Sequence, residues 1–292
     1  MELRIGEPRL PATLDLPAGP VRGGLAVTHG SHAAQRSYFL YEHLARLLPP
    51  AGIAVLRYDR RPRVDGRDVP LTEQADDAAA ALDVLRGQVG DLPVGLWGFS
   101  QGSWAAALTA SRHPVDFLVL VSSSGVSPAA QMRYGTAEQL RRHGYGEADL
   151  AELDRLRRMA EAYLRGELPR ALAQAELDVA VERPWFPLVF LPRELSEPGA
   201  WADMDFDPEP VIAKLSCPVL LCYGETDAWT PIEESVAAWR RAARGADLTV
   251  GRLAGCDHAP TLHEGVTTDS ISPQYERILL DWLGGRLAAG TG

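Results

Sequence analysis

The 292-residue chain has a single lysine, Lys214, and only three cysteines, Cys217, Cys222 and Cys256. Schiff-base and pyridoxal chemistry would rest on that one lysine, in "PVIAKLSCP" just ahead of an apolar run, so that class is set aside. Three cysteines in or beside apolar runs suit buried free thiols better than a disulfide framework. No Cys or His pair has close ligand spacing inside a recognisable motif, so neither a metal nor a cofactor is expected. Positive charge is also short: 29 Lys and Arg stand against 39 Asp and Glu, giving a net charge of -10. Such a surface repels phosphate backbones and anionic lipid, so neither nucleic acid nor a membrane is an expected partner. No apolar stretch approaches the roughly 18 to 20 residues that cross a bilayer. The opening "MELRIGEPRLPATLDL" lacks the basic-then-apolar layout of an export signal, which makes the cytoplasm the expected compartment. Oligomeric state leaves no readable mark.

What is present is a run of buried strands. "GGLAVTHG", "GIAVLRYD", "PVGLWGFS", "DFLVLVSSSG" and "PVLLCYGETD" are apolar, β-branched and bounded by glycine and proline, as strands buried on both faces are. Helical spacing falls between them at residues 37–48, 72–88, 101–112 and 232–243. That alternation predicts an α/β fold with a mostly parallel, doubly wound sheet, the opening segment adding an antiparallel strand or two at one edge. The pattern stops after Gly125 and resumes at Pro218. Residues 127–210 are therefore expected to form a helical lid inserted in a core made of 1–126 and 211–292.

A serine lies between two glycines in "LWGFSQGSW", where an apolar strand gives way to a helix. With 27 glycines and 14 serines in the chain, G-x-S-x-G arises by accident about 0.1 times, so its context must carry the argument. In a strand-to-helix turn the pattern lifts the serine hydroxyl above the sheet and aims the helix N-terminus at the same place. Ser100 is the candidate nucleophile. A base and an orienting acid should follow in the order acid, then histidine. Asp227, in "GETDAWTP", falls at the end of a strand, and His258, in "GCDHAP", lies in the loop after the next strand, "LTVGRLAG". Glu225 and Asp257 are the rival acids and His263 the rival base. The oxyanion hole is expected from the backbone N–H groups of Gln101 and of Ser31, the latter in the early loop "THGSHAAQRS". His29 and His32 read as structural or pocket-lining residues.

Together these stretches resemble the α/β-hydrolase superfamily, in particular its bacterial esterase, thioesterase and peptidase-like members with a lid between the sixth and seventh strands. In the resemblance "THGS" matches the oxyanion loop, "GFSQG" the nucleophile elbow, "YGETDAWTP" the acid loop and "GCDHAP" the histidine loop. One departure stands out: "RYDRRPRVDGRD" carries Pro62 where relatives commonly have glycine, and Asp59 with Arg60 is expected to form a structural pair there.

The leading expectation is hydrolysis of an ester or thioester of a medium-sized, partly apolar acyl compound through an acyl-enzyme. His32, Trp185, Phe186, Phe190, Trp201 and Trp229 are the candidate pocket residues, with Met204 and Phe206 also considered; packing of the insertion onto the core is the competing explanation for most of the aromatics. The same three side chains would also serve a peptidase, with Glu194, Glu197, Asp203 or Asp205 holding a substrate amine, or an acyltransferase or cyclase. A binding protein that hardly turns over is the alternative of another class. Relatives with an aspartate nucleophile are disfavoured because a serine occupies the elbow.

Overall fold

The computed structural model describes every residue except 8, 65, 66, 264 and 288–292. Among the described residues eight strands form one sheet in the order β1-β2-β4-β3-β5-β6-β7-β8. At one edge β1 (Glu2–Ile5) and β2 (Leu10–Asp15) run antiparallel, and β2 pairs antiparallel with β4 (Ile53–Tyr58). The rest is parallel: β3 (Gly23–Thr28), β5 (Val94–Phe99), β6 (Phe117–Val121), β7 (Val219–Gly224) and β8 (Leu248–Leu253).

Every residue of β3, β5, β6 and β7 is buried, because helices cover both faces of the sheet. Successive side chains point to opposite sides, so Leu96, Leu118 and Leu120 join one core while Trp97, Phe117 and Val119 join the other. The first core is closed by α2 (Leu71–Val89), α3 (Gln101–Ala110), α7 (Glu209–Ile212) and α8 (Ile232–Ala242). The second is closed by α1 (Phe39–Leu47) and α9 (Pro273–Leu287), the latter a helix outside those expected from the sequence. The cysteines sit in this apolar matter, where burial pushes the thiol of Cys217 up to about 11 and that of Cys222 up to about 12.

Between β6 and β7 the chain makes α4 (Pro128–Arg142), α5 (Glu147–Leu164) and α6 (Arg170–Ala180). Ser127 caps α4 by accepting the Ala130 N–H at 3.3 Å, and Pro128 takes the first helical position, where a missing N–H costs nothing. These helices bury a third core of their own, built on Leu140, Leu153, Leu156 and Leu177. Among the described residues no helix is long and apolar enough to cross a membrane.

One buried hydrogen bond ties β5 to α9: Trp97 Nε1 donates to Tyr275 Oη at 2.7 Å, with both side chains about 1% exposed. Tyr275→Phe leaves the indole N–H unpaired and should cost about 1–3 kcal/mol. The expected outcome is a lower urea midpoint with an unchanged slope, and an unchanged midpoint would contradict it.

Candidate active site

Ser100 stands at the junction of β5 and α3 with φ 51° and ψ -119°, a region that non-glycine residues rarely occupy. Two glycines make the turn possible. A Cβ on Gly98 would lie 2.6 Å from the Gly102 carbonyl oxygen, and one on Gly102 would lie 2.5 Å from that of Thr28. The Ser100 N–H donates to the Val121 carbonyl at 2.9 Å, and Thr28 Oγ1 donates to the Gly102 carbonyl at 2.7 Å. The strained turn is thus fastened to strands on either side of β5.

Asp227 follows β7 with its side chain fully buried, and its Oδ1 accepts the N–H groups of Trp229 at 2.7 Å and Thr230 at 3.1 Å. His258 follows β8. Its Nδ1 lies 3.0 Å from Asp227 Oδ2 and its Nε2 lies 2.9 Å from Ser100 Oγ. Burial disfavours the charged imidazole, but the Asp227 charge and hydrogen bond outweigh it and raise the His258 pKa above the ordinary value. Burial likewise opposes the Asp227 carboxylate, and His258, with the Trp229 N–H and the Thr230 side chain, brings its pKa below the usual range. The pair is set up so that Nδ1–H donates to the carboxylate and Nε2 is free to accept the Ser100 proton.

The rivals have other positions. Asp257 accepts the Ala228 N–H at 3.1 Å, which fastens the histidine loop to the acid loop, while Glu225 and His263 are exposed. His29 is buried, donates from Nε2 to the Tyr58 carbonyl at 2.6 Å and is held neutral by burial, its pKa lowered to about 4.

Ser100 opens on a cavity of about 690 Å³. Ser31 and Gln101 line it, as do His32, Phe190, Trp201 and Trp229. Trp185 and Phe186, expected to line this pocket, do not: they are 1% and 4% exposed within the third core, where Trp185 Nε1 donates to Asp149 Oδ1 at 3.1 Å. Met204 is buried outside the cavity lining, and Phe206 packs against Trp104, ring centroids 6.3 Å apart. Of the carboxylates considered for an amine, Asp203 faces the cavity, whereas Glu194 and Glu197 lie against Arg170 and Asp205 against Arg165. Nor do Asp59 and Arg60 pair with one another. Asp59 accepts from Arg36 N and Nη1, both at 2.8 Å, while Arg60 turns inward to Asp68 at 3.2 Å.

Further residues contribute to the site. Ser122, at φ 52° just past β6, donates from Oγ to the His258 carbonyl at 2.6 Å; its signal is the polar run "SSSG" directly after an apolar strand. Trp104, Gln131 and Met132 line the cavity from α3 and α4. The helical segment is also fastened to the site loops. Arg142 on α4 donates to the Thr226 carbonyl, and Gly135 lets α4 approach Trp229 so closely that a Cβ would lie 2.5 Å from its ring. Phe190, at φ 51° and 63% exposed, meets Trp229 edge to face with ring centroids 5.2 Å apart.

A family model described as "Alpha/beta hydrolase family" matches residues 25–268, the greater part of the chain. The chain belongs to the alpha/beta hydrolase family. No curated protein matches it. Among solved structures it is similar to the proline iminopeptidase of Mycobacterium smegmatis, with 16% identity, 99% of each chain covered and a TM-score of 0.63. It is similar also to Est1E of Butyrivibrio proteoclasticus with ferulic acid bound, at 17% identity, 99% of each chain and a TM-score of 0.62. A third is the monoacylglycerol lipase of Paleococcus ferrophilus, at 20% identity, 95% of this chain and 99% of the other, with a TM-score of 0.58. At such identities the likeness speaks for the fold, and family membership makes this alpha/beta hydrolase an enzyme of hydrolytic type.

The partly buried His258 and the fully buried His29 should titrate far apart. In an NMR titration of the imidazole nitrogens, His258 should change charge above the ordinary pKa of about 6.5, while His29 stays neutral down to pH about 4. Asp227→Asn should bring the His258 transition down, since only the smaller effect of the Asp257 charge then opposes burial. A midpoint for His258 below the ordinary value in the unmodified protein would contradict the arrangement.

Proposed function

We propose that the protein is a serine hydrolase acting on an ester or thioester through an acyl-enzyme. Ser100 Oγ attacks the acyl carbonyl as its proton passes to His258 Nε2. Asp227 orients the imidazole and stabilises its charged form. The N–H groups of Gln101 and Ser31 receive the negative charge on the carbonyl oxygen, and the N-terminal end of α3 adds its positive dipole there. His258 then returns the proton to the leaving group, and water activated by the same imidazole releases the acid. The observation that carries this reading is the unbroken chain Ser100 Oγ, His258 Nε2, His258 Nδ1, Asp227, at 2.9 Å and 3.0 Å, opening on a cavity.

The substrate proposed is a medium-sized, partly apolar acyl compound. Trp104, Met132, Phe190, Trp201 and Trp229 supply apolar walls, while Arg63, Asp68 and Asp203 make one part of the lining charged. The helical segment between β6 and β7 serves as a lid in this proposal, since Gln131, Met132, Phe190 and Trp201 all come from it. Asp203 supports a second reading, hydrolysis of an aminoacyl substrate. Its carboxylate accepts one backbone N–H, from Leu71 at 2.8 Å, and burial raises its pKa, so a substrate ammonium is the partner that would favour its charged form.

Ser100→Ala should lower p-nitrophenyl ester hydrolysis by a factor on the order of 10⁴ or more and abolish labelling by a fluorophosphonate, with circular dichroism and melting unchanged. Turnover at the wild-type rate in that variant would overturn the assignment. Across an acyl series kcat/KM should rise beyond acetyl, and Phe190→Ala should shift the preference towards longer chains; a preference for acetyl over all longer groups would refute the pocket assignment. Efficient cleavage of aminoacyl amides, lost in Asp203→Asn, would instead select the second reading.

A further inference from the structure

The charged segment after β4 sends neighbouring side chains in different directions. Asp59 goes to Arg36, and Arg61 goes to Asp77 on α2 at 2.8 Å. Arg60 turns beneath the cavity floor, its side chain only 4% exposed. There its Nη1 donates to Gln101 Oε1 at 2.7 Å, and its Nη2 donates to the Ser31 carbonyl at 3.1 Å and to Asp68 Oδ1 at 3.2 Å. Gln101 Nε2 closes the ring by donating to Asp68 Oδ2 at 3.0 Å. The direction of each bond follows from chemistry: a guanidinium only donates and an ionised carboxylate only accepts, so the Gln101 amide can face them in one way.

The two residues this guanidinium holds are those whose N–H groups the proposed mechanism uses. They lie on separate elements, Ser31 in the loop after β3 and Gln101 at the start of α3. The Ser31 loop is secured on its other flank by Tyr41, whose hydroxyl accepts the Gly30 N–H at 3.2 Å and donates to the Ala33 carbonyl at 2.9 Å. The Arg60 N–H itself donates to the Ala34 carbonyl at 2.8 Å. One planar fork thus spans the gap between the loop and the helix, and the planar guanidinium gives that span a fixed geometry that an ammonium on a flexible stem would not.

We propose that Arg60 is a positioning residue which sets the separation of the Ser31 and Gln101 amides, so that its contribution appears when charge develops on the acyl oxygen and not in the ground state. Asp68 ties the guanidinium to the Gln101 carboxamide, accepting from the first at one carboxylate oxygen and from the second at the other. This inference rests on the serine-hydrolase reading. An amide pair displaced by even part of an ångström loses stabilisation of the tetrahedral species while the acyl pocket stays intact.

The test uses wild type, Arg60→Lys, Arg60→Ala and Gln101→Leu in the full chain, each first titrated with a fluorophosphonate so that rates refer to active molecules. Per titrated site, kcat for a p-nitrophenyl ester should fall roughly 10- to 100-fold in all three variants, with KM within about 3-fold of wild type. Affinity for a trifluoromethyl ketone, which forms a tetrahedral oxyanion on serine, should fall in parallel with kcat/KM. Added guanidinium should restore part of the rate to Arg60→Ala, and Arg60→Lys should not substitute for it. Wild-type kcat per titrated site, or a loss carried by KM, would overturn the proposal while leaving the hydrolase reading intact. Failure of the wild type itself to react with fluorophosphonate would overturn both. Should Arg60→Ala not fold, Gln101→Leu decides alone, because it cuts the ring but keeps the backbone N–H: wild-type kcat there would overturn the inference.

Discussion

The close crossing of α3 over the ends of β3 and β5 is the constraint on which the site depends. It leaves no room for side chains at Gly98 or Gly102 and forces Ser100 to a positive φ. Strain of this kind costs on the order of 1–3 kcal/mol and persists only where the surroundings over-determine it. Here they do, through the Thr28 hydroxyl, which donates to the carbonyls of both Trp97 and Gly102, and through the Val121 carbonyl on β6. The same crossing brings the amide end of α3 beside the early loop, so Ser100 and the amides proposed to receive the oxyanion's charge are placed by one packing event.

The acid and the histidine come from loops, and the loops hold each other. Thr226 Oγ1 donates to the Cys256 carbonyl at 2.8 Å, Asp257 receives the Ala228 N–H, and Ser122 reaches across from β6 to the His258 carbonyl. Gly224 permits the contact, since a Cβ there would lie 2.1 Å from the Asp257 carbonyl oxygen. Backbone groups thus hold the imidazole's distance to Ser100, and side-chain charge raises its pKa against burial.

Much of this was legible in the sequence because it depends on local rules. Unbroken apolar runs marked β3 to β7, glycine spacing marked the elbow, and chain order picked out Asp227 and His258, whose side chains lie 3.0 Å apart with His258 2.9 Å from Ser100. What was not legible depends on which neighbour an apolar or charged side chain finds. Trp185 and Phe186 look no different in sequence from Phe190 and Trp201, yet the first two fill the core of α4–α6 and the others face the cavity. Asp59 and Arg60 are adjacent in the chain, and adjacent residues of extended backbone point apart, so proximity in sequence misled. The helix α9, outside those expected, carries Gly284 and Gly285 where a side chain would meet open space, and the face carrying Tyr275, Leu279 and Trp282 holds it in place.

Trp229 joins two tasks usually kept apart. Its indole rests on Gly135 of α4 and against Phe190 at the rim, while its backbone N–H holds the buried carboxylate of Asp227. The packing of α4 on the acid loop and the hydrogen bonding of the Asp227 carboxylate therefore meet in one residue, whose side chain serves the first and whose peptide serves the second.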